Sequence, residues 1–284
     1  MTLIDNCGCI HGDVPLFYVK ILIVKTMVKN LRKKIIVVSS FAKDEKINFD
    51  TNIRTMSEGG PAFFIGKALK TLGAKYQLIR NKKTSRVRIK IAEREEEGKV
   101  VSLAPIVLPS HKTADIFLIS TIGQEFKLRD IKMLSGLIAL DCQGYIRKYK
   151  AKMQKMSIPK AIEDRISVLK ATHSEISFLG EAFLQRQKKR ILLITYGEKG
   201  FEIYAFGKRY FYASHRITLD DAVGAGDTLF AAFCFAYIGT RGIQKAALFA
   251  RAHTEEFLKE KKKSVNRLKK NKRGPLRNGG NYKI

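Results

Sequence analysis

The stretch that most constrains this chain is Ile217 to Tyr237, I-T-L-D-D-A-V-G-A-G-D-T-L-F-A-A-F-C-F-A-Y. It starts polar, at Thr218, Asp220 and Asp221, and passes through the nearly side-chain-free Gly224-Ala225-Gly226. From Leu229 it is apolar on every side, which marks a buried helix rather than an amphipathic surface one. The small residues at its start let backbone come close to a ligand. A helix start also offers unpaired N–H groups and the positive end of the dipole, and the combination makes an anion site. Asp227 is the odd residue there. A carboxylate at a helix N-terminus fits a simple cap. Beside a phosphate it repels the ligand unless it acts chemically, and the work open to it is accepting a proton from an attacking hydroxyl.

The rest of the chain must bury that helix. At 284 residues, 45% hydrophobic and 28% charged, it can form one sizeable core. No apolar run approaches the ~18 residues of a membrane span. Val14 to Val24 is interrupted by Lys20 and has no basic segment before it, so no signal peptide is read. Cys7, Cys9, Cys142 and Cys234 show no framework spacing, which suits reduced thiols and a cytoplasmic location. Cys7 and Cys9 with His11 and Asp13 resemble a metal loop but lack a second ligand pair nearby.

The net charge is +28, from 54 basic and 26 acidic residues, and such a field attracts polyanions. Lys259 to Ile284 carries eleven Lys or Arg and a single Glu. It reads as a fraying helix passing into a disordered basic tail, either simply solvated or an arm that contacts RNA.

From Lys34 onward apolar strands alternate with helices. Strands are predicted at Ile35–Ser39, Ile116–Ser120, Leu137–Asp141, Val168–Ala171 and Ile191–Thr195. Helices are predicted at Pro61–Leu72, Lys127–Leu134, Ser174–Gln187, Asp227–Ile238 and Ile243–Lys259. Hairpins are predicted at Val87–Ala92 with Lys99–Leu103, and at Phe201–Phe206 with Lys208–Ala213. The pattern argues for an α/β fold with a largely parallel sheet covered on both faces. The first hairpin is too charged for a core and suits a flap over a site. The expected division is an extension at 1–33, one domain at 34–258 and the basic tail at 259–284.

D-A-V-G-A-G-D-T-L-F-A-A-F, ending in Phe233, resembles the C-terminal signature of the ribokinase-like (PfkB) family of sugar and nucleoside kinases, with Ala222 where Thr is common. The resemblance implies a ribokinase-like fold with a small β lid and transfer of the γ-phosphoryl of Mg-ATP to an alcohol. It implies an anion hole at Gly224, Ala225 and Gly226, and Asp227 as the base. Gly59-Gly60 before a helix ending in Leu72-Gly73 resembles the family's N-terminal motif, with Phe64 where Asn is frequent; alone it is an ordinary helix start. V-V-S-S-F-A-K-D resembles the first strand and substrate-binding acid, here Asp44, with Ser39 for the frequent Gly. By itself Asp44 is equally a surface acid after a strand.

Asp141-Cys142-Gln143-Gly144-Tyr145-Ile146-Arg147 resembles a segment of archaeal PfkB-type kinases, some of them inositol kinases, and implies substrate contacts from Asp141 and Arg147. Thr172-His173-Ser174-Glu175 resembles the N-x-x-E motif whose acid, Glu175, helps place Mg²⁺. It equally fits a capping box. Thr195, Gly197 and Gly200 match the T-x-G-x-x-G nucleotide loop. The stretch from Gly73 to Thr84 is shorter than usual, which implies a trimmed N-terminal half and a reduced lid. Family members often dimerise through that lid.

The sequence therefore reads as an ATP- and Mg²⁺-dependent kinase of a small sugar, cyclitol or nucleoside. The alternative is a nucleic-acid-binding protein on a degenerate kinase scaffold, resting on the charge, the tail and the short lid.

Overall fold

Parallel strands covered on both faces require near-continuous apolar sequence, and Ile35–Ser39 meets that demand, buried at every position. The computed structural model describes residues 33–50, 52–92, 95–146, 153–215, 217 and 221–272. The expectations for residues 1–32, including the Cys7/Cys9 loop, for Arg147 and for residues 273–284 lie outside it.

In chain order the strands are β1 (Ile35–Ser39), β2 (Ala42–Asn48), β3 (Ile53–Gly59), β4 (Tyr76–Arg80), β5 (Ser85–Ala92), β6 (Glu95–Ser102), β7 (Lys112–Ser120), β8 (Leu134–Asp141), β9 (Ile166–Thr172), β10 (Ile191–Thr195), β11 (Gly200–Ala205) and β12 (Lys208–Ala213). The helices are α1 (Pro61–Thr71), α2 (Gln143–Ile146), α3 (Lys160–Glu163), α4 (His173–Ile176), α5 (Glu181–Lys188), α6 (Ala225–Thr240) and α7 (Ile243–Lys272).

The main sheet has the order β12-β11-β10-β9-β8-β7-β1-β4. From β4 to β10 the neighbours are parallel, and the β11–β12 hairpin closes one edge antiparallel. Because strand side chains alternate, Ile35 and Val37 face one layer while Ile36 and Val38 face the other. The first layer is built by α1, α6 and α7, through Ile65, Leu69, Phe230, Phe233 and Phe249. The second is built from Phe126, Ile131, Tyr145 and Phe183. Helix α6 is buried continuously from Thr228 to Ile238, wedged between the sheet and the helices beside it.

A second sheet, β3-β2-β5-β6, forms the lid. Its polar sequence reflects a layer with one solvated face.

Several features depart from the sequence pattern: β2 and β3 lie where no strand was predicted, and the helix predicted at Lys127–Leu134 is a 3-10 turn over Leu128–Met133. Tyr76–Arg80, where no element was expected, is an edge strand of the main sheet. The expected helix at Ser174–Gln187 is two helices, α4 and α5, interrupted before Gly180. Helix α7 continues past Lys259 to Lys272, where a fraying end was expected. Among the described residues no helix is long and apolar enough to cross a membrane.

Candidate active site

Open α/β sheets bind ligands outside the carboxyl ends of their parallel strands. Here those ends are Ser39, Ser120, Asp141, Thr172 and Thr195, the N-terminus of α6 lies beside Ser120, and a cavity of about 770 Å³ is bordered by Thr172, Thr195 and the start of α6. The residues lining it form two groups, its two lobes. On one side lie Asp44, Gly60, Phe64, Val87, Ile89 and Gln143. On the other lie Thr195, Gly197 and Gly200, with Arg251, Thr254 and Leu258 of α7. Lys170 and the segment Ala222–Asp227 border it between them.

The helix start is built on a left-handed cap. Gly224 is the N-cap of α6 at φ 90°, a left-handed conformation that glycine adopts without penalty. A Cβ there would also overlap the ring of Phe64. Thr228 locks the turn by donating from its N–H (3.0 Å) and its hydroxyl (2.8 Å) to the Gly224 carbonyl. The N–H of Ala225 donates to the Ala222 carbonyl at 3.0 Å, so Ala225 contributes backbone clearance rather than a donor aimed at a ligand. Gly224→Ala is expected to cost about 1–3 kcal/mol through the forced left-handed backbone, with further loss from displacing Phe64. A denaturant melt reads the cost.

Asp227 sits half-buried in the first turn, where its Oδ1 accepts a hydrogen bond from Ser120 Oγ at 3.4 Å. Beside it is a residue the sequence pattern passed over. Lys170, 3% exposed, donates from Nζ to Asp141 Oδ2 at 2.7 Å. A Cβ on Gly226 would lie 3.3 Å from that ammonium. Burial pulls the Lys170 pKa down, but Asp141, Asp227 and Glu175 outweigh it and hold the amine above its ordinary value, charged. A lysine inside the apolar run V-L-K-A was the legible signal, since a buried ammonium needs a carboxylate partner.

Asp141 does not border the cavity. It is fully buried behind Lys170, accepting also from Ser120 Oγ (3.2 Å) and from the Gln143 N–H (3.2 Å). The neighbouring Gln143 takes the exposed place, with Nε2 3.4 Å from Ser120 Oγ. Substrate contact by Asp141 is therefore replaced by support of Lys170.

Glu175 is likewise sealed. It forms the capping box of α4, its Oε2 accepting from the Thr172 N–H at 2.8 Å while its own N–H donates to Thr172 Oγ1 at 3.3 Å. The ligand atoms of Asp141, Cys142 and Glu175 lie within 4.8 Å of one another.

Asp44 lies inside β2 rather than beyond a strand. It is 2% exposed and borders the cavity. Burial raises its pKa, opposed by Lys46 and by a hydrogen bond from the Gly60 N–H. Gly59 sits directly beneath it, where a Cβ would overlap the Asp44 carboxylate. Thr195, Gly197 and Gly200 all reach the cavity, Gly197 at φ 60° opening a short 3-10 turn.

No model of a known protein family matches the chain, and no curated protein matches it. Solved structures do. A pyrophosphate-dependent kinase in the ribokinase family, complexed with a pyrophosphate analog and myo-inositol, is 18% identical with a TM-score of 0.62, over 78% of this chain and 93% of that one. An Arabidopsis thaliana ribokinase complexed with ribose and ATP is 16% identical, TM-score 0.57, over 77% and 90%. The Thermotoga maritima ribokinase is 17% identical, TM-score 0.56, over 80% and 99%. Identities this low speak to architecture, and the architecture of this chain is the ribokinase-like fold.

Proposed function

We propose that the protein transfers a phosphoryl group from a nucleoside triphosphate to an alcohol of a small polyhydroxylated acceptor, a sugar, cyclitol or nucleoside. The observation that carries this reading is the position of Asp227. It borders the cavity on the first turn of α6, next to Gly226 and within the field of the Lys170 ammonium.

The acceptor occupies the Asp44 lobe. The Asp44 carboxylate accepts hydrogen bonds from vicinal hydroxyls, and Phe64, Val87 and Ile89 pack against its apolar face. Asp227 takes the proton of the attacking hydroxyl. The helix start and Lys170 hold the phosphoryl oxygens as charge redistributes, so catalysis is positioning and electrostatics. The lobe past Thr195 and Gly197, reaching Arg251 and Leu258, gives room beyond the phosphates for a nucleoside. That extension favours ATP over pyrophosphate.

A Mg²⁺ ion suits this surrounding. Asp227 is a hard oxygen donor at the cavity, and the fully buried Asp141 and Glu175 add negative charge around the one Lys170 ammonium, an excess that a divalent cation would balance. Asp227 would hold such an ion, and Glu175, held in its capping box, would act on it through water. Bound there, Mg²⁺ would neutralise charge on the donor phosphates.

The test is product formation from ATP or pyrophosphate against sugars, myo-inositol and nucleosides. Turnover with ATP and one acceptor class is expected. Turnover with pyrophosphate alone would overturn the donor assignment. Transfer with neither donor would overturn the kinase reading.

A further inference from the structure

Phosphoryl transfer between two lobes requires that they be held at a fixed separation, because misplacement by an ångström costs orders of magnitude in rate. One cluster outside the reacting groups spans that gap. The Asp221 carboxylate, three residues before the N-cap Gly224, is gripped from two sides. Its Oδ2 accepts from Lys46 Nζ of lid strand β2 at 2.7 Å, and its Oδ1 accepts from Lys261 Nζ of α7 at 2.7 Å. Oδ1 also accepts the Val223 N–H at 3.0 Å, and Lys261 Nζ donates a second bond to the Val223 carbonyl at 2.9 Å.

We propose that Lys46, Asp221 and Lys261 form a latch that positions the phosphate-binding turn of α6 relative to the lid, and that both lysines are positioning residues for the transfer reaction. The inference rests on the phosphotransfer reading above.

Three observations separate the latch from ordinary surface ion pairs, which are worth little. The side chains of Lys46, Asp221 and Lys261 are only 15%, 20% and 18% exposed. The two ammoniums act on one carboxylate and one backbone carbonyl, so Lys261 fixes main chain as well as a side chain. The cluster also joins three separate pieces of the molecule.

The consequence for the acceptor comes from strand geometry. Asp44 and Lys46 are two apart in β2, so they project from the same face. The bond from Lys46 to Asp221 therefore sets how far the acceptor-binding Asp44 stands from the turn that carries Gly224–Asp227. The bond from Lys261 to the Val223 carbonyl sets the angle at which that turn enters the helix. Burial opposes ionisation of Asp221, yet the two lysines outweigh it and keep its pKa below the ordinary value.

The experiment compares Lys46→Met, Lys261→Met, Asp221→Asn and the Lys261→Met/Asp221→Asn double variant. It uses the full chain, the acceptor that turns over best, and inorganic tripolyphosphate as a binding probe in calorimetry. Lys46→Met is expected to lower kcat about tenfold and to raise the acceptor KM, with tripolyphosphate affinity within about twofold of the parent. Lys261→Met and Asp221→Asn are each expected to weaken tripolyphosphate about tenfold. The double variant is expected to be no weaker than the worse single, since groups acting as one unit are non-additive. Lys261→Arg, which retains the cation, restores most of the affinity.

Additive losses in the double variant would overturn the latch, because Lys261 would then act through its own field. Melting points that fall while kinetics and affinity stay unchanged would overturn it too, leaving only a structural role. A parent protein that transfers no phosphate would sink the kinase reading instead. The tripolyphosphate cycle would still decide whether Asp221 and Lys261 position the turn.

Discussion

Asp227→Asn is expected to lower turnover by roughly a thousandfold, within the range attributed to a lost general base, while leaving the fold and donor binding in place. The asparagine is nearly isosteric, and its Oδ1 can still accept the hydrogen bond that Ser120 Oγ gives to Asp227 at 3.4 Å. The left-handed cap at Gly224 and the Thr228 bonds that lock the turn do not involve the carboxylate. Lys170 keeps its 2.7 Å bond to Asp141. What disappears is the lone pair that accepts a proton and the negative charge that steers the hydroxyl. Steady-state kinetics, calorimetry with a non-hydrolysable donor analog and a thermal melt together isolate the chemical step. Near-parental turnover in a variant that melts normally would remove Asp227 from the role of base.

Much of the architecture could be read from periodicity. The strands β1, β7, β8, β9 and β10 are apolar runs because they are covered on both faces, and α6 is apolar all round because helices enclose it. Two of the features that periodicity missed have a clear physical reason. Tyr76–Arg80 is an edge strand with only Ile79 buried, so its pattern is weak. The interruption between α4 and α5 follows from Gly180, an N-cap that helical spacing alone does not mark. Within the site, Asp227 and the Thr195–Gly200 loop were legible at loop-to-helix and strand-to-loop junctions, whereas Asp44, expected after a strand, lies inside β2. Their convergence on one cavity was not, because it depends on the lid folding over the sheet. Asp141, an acid at a strand end, read as a substrate contact, yet it is fully buried and supports Lys170. Glu175 forms the capping box that its sequence also allowed. Lys46 and Lys261 carried no local signal at all in a chain of 54 basic residues. Only the tertiary structure distinguishes the two that meet at Asp221.

Lys170→Met is expected to combine a large loss of stability with a loss of turnover, and a second substitution separates the two. Removing one partner of a buried ion pair leaves an uncompensated charge and typically costs about 3–5 kcal/mol. Asp141 is fully buried and its side chain has no exposure to recover water, so the variant should melt roughly 10 °C lower. Adding Asp141→Asn removes the orphaned charge while keeping a polar group for the Ser120 and Gln143 bonds. Replacing both members of a buried pair is far less costly than breaking it. The double variant should therefore regain most of the lost melting temperature. Turnover should not return with it. On the proposed reading, the ammonium 3.3 Å from the Cβ position of Gly226 is a fixed cation at the transfer site, and losing one pre-organised electrostatic group costs about 10²–10³ in rate. If stability and turnover recover together in the double variant, Lys170 serves only to neutralise Asp141. If stability recovers and turnover stays low, its charge acts on the phosphoryl group itself.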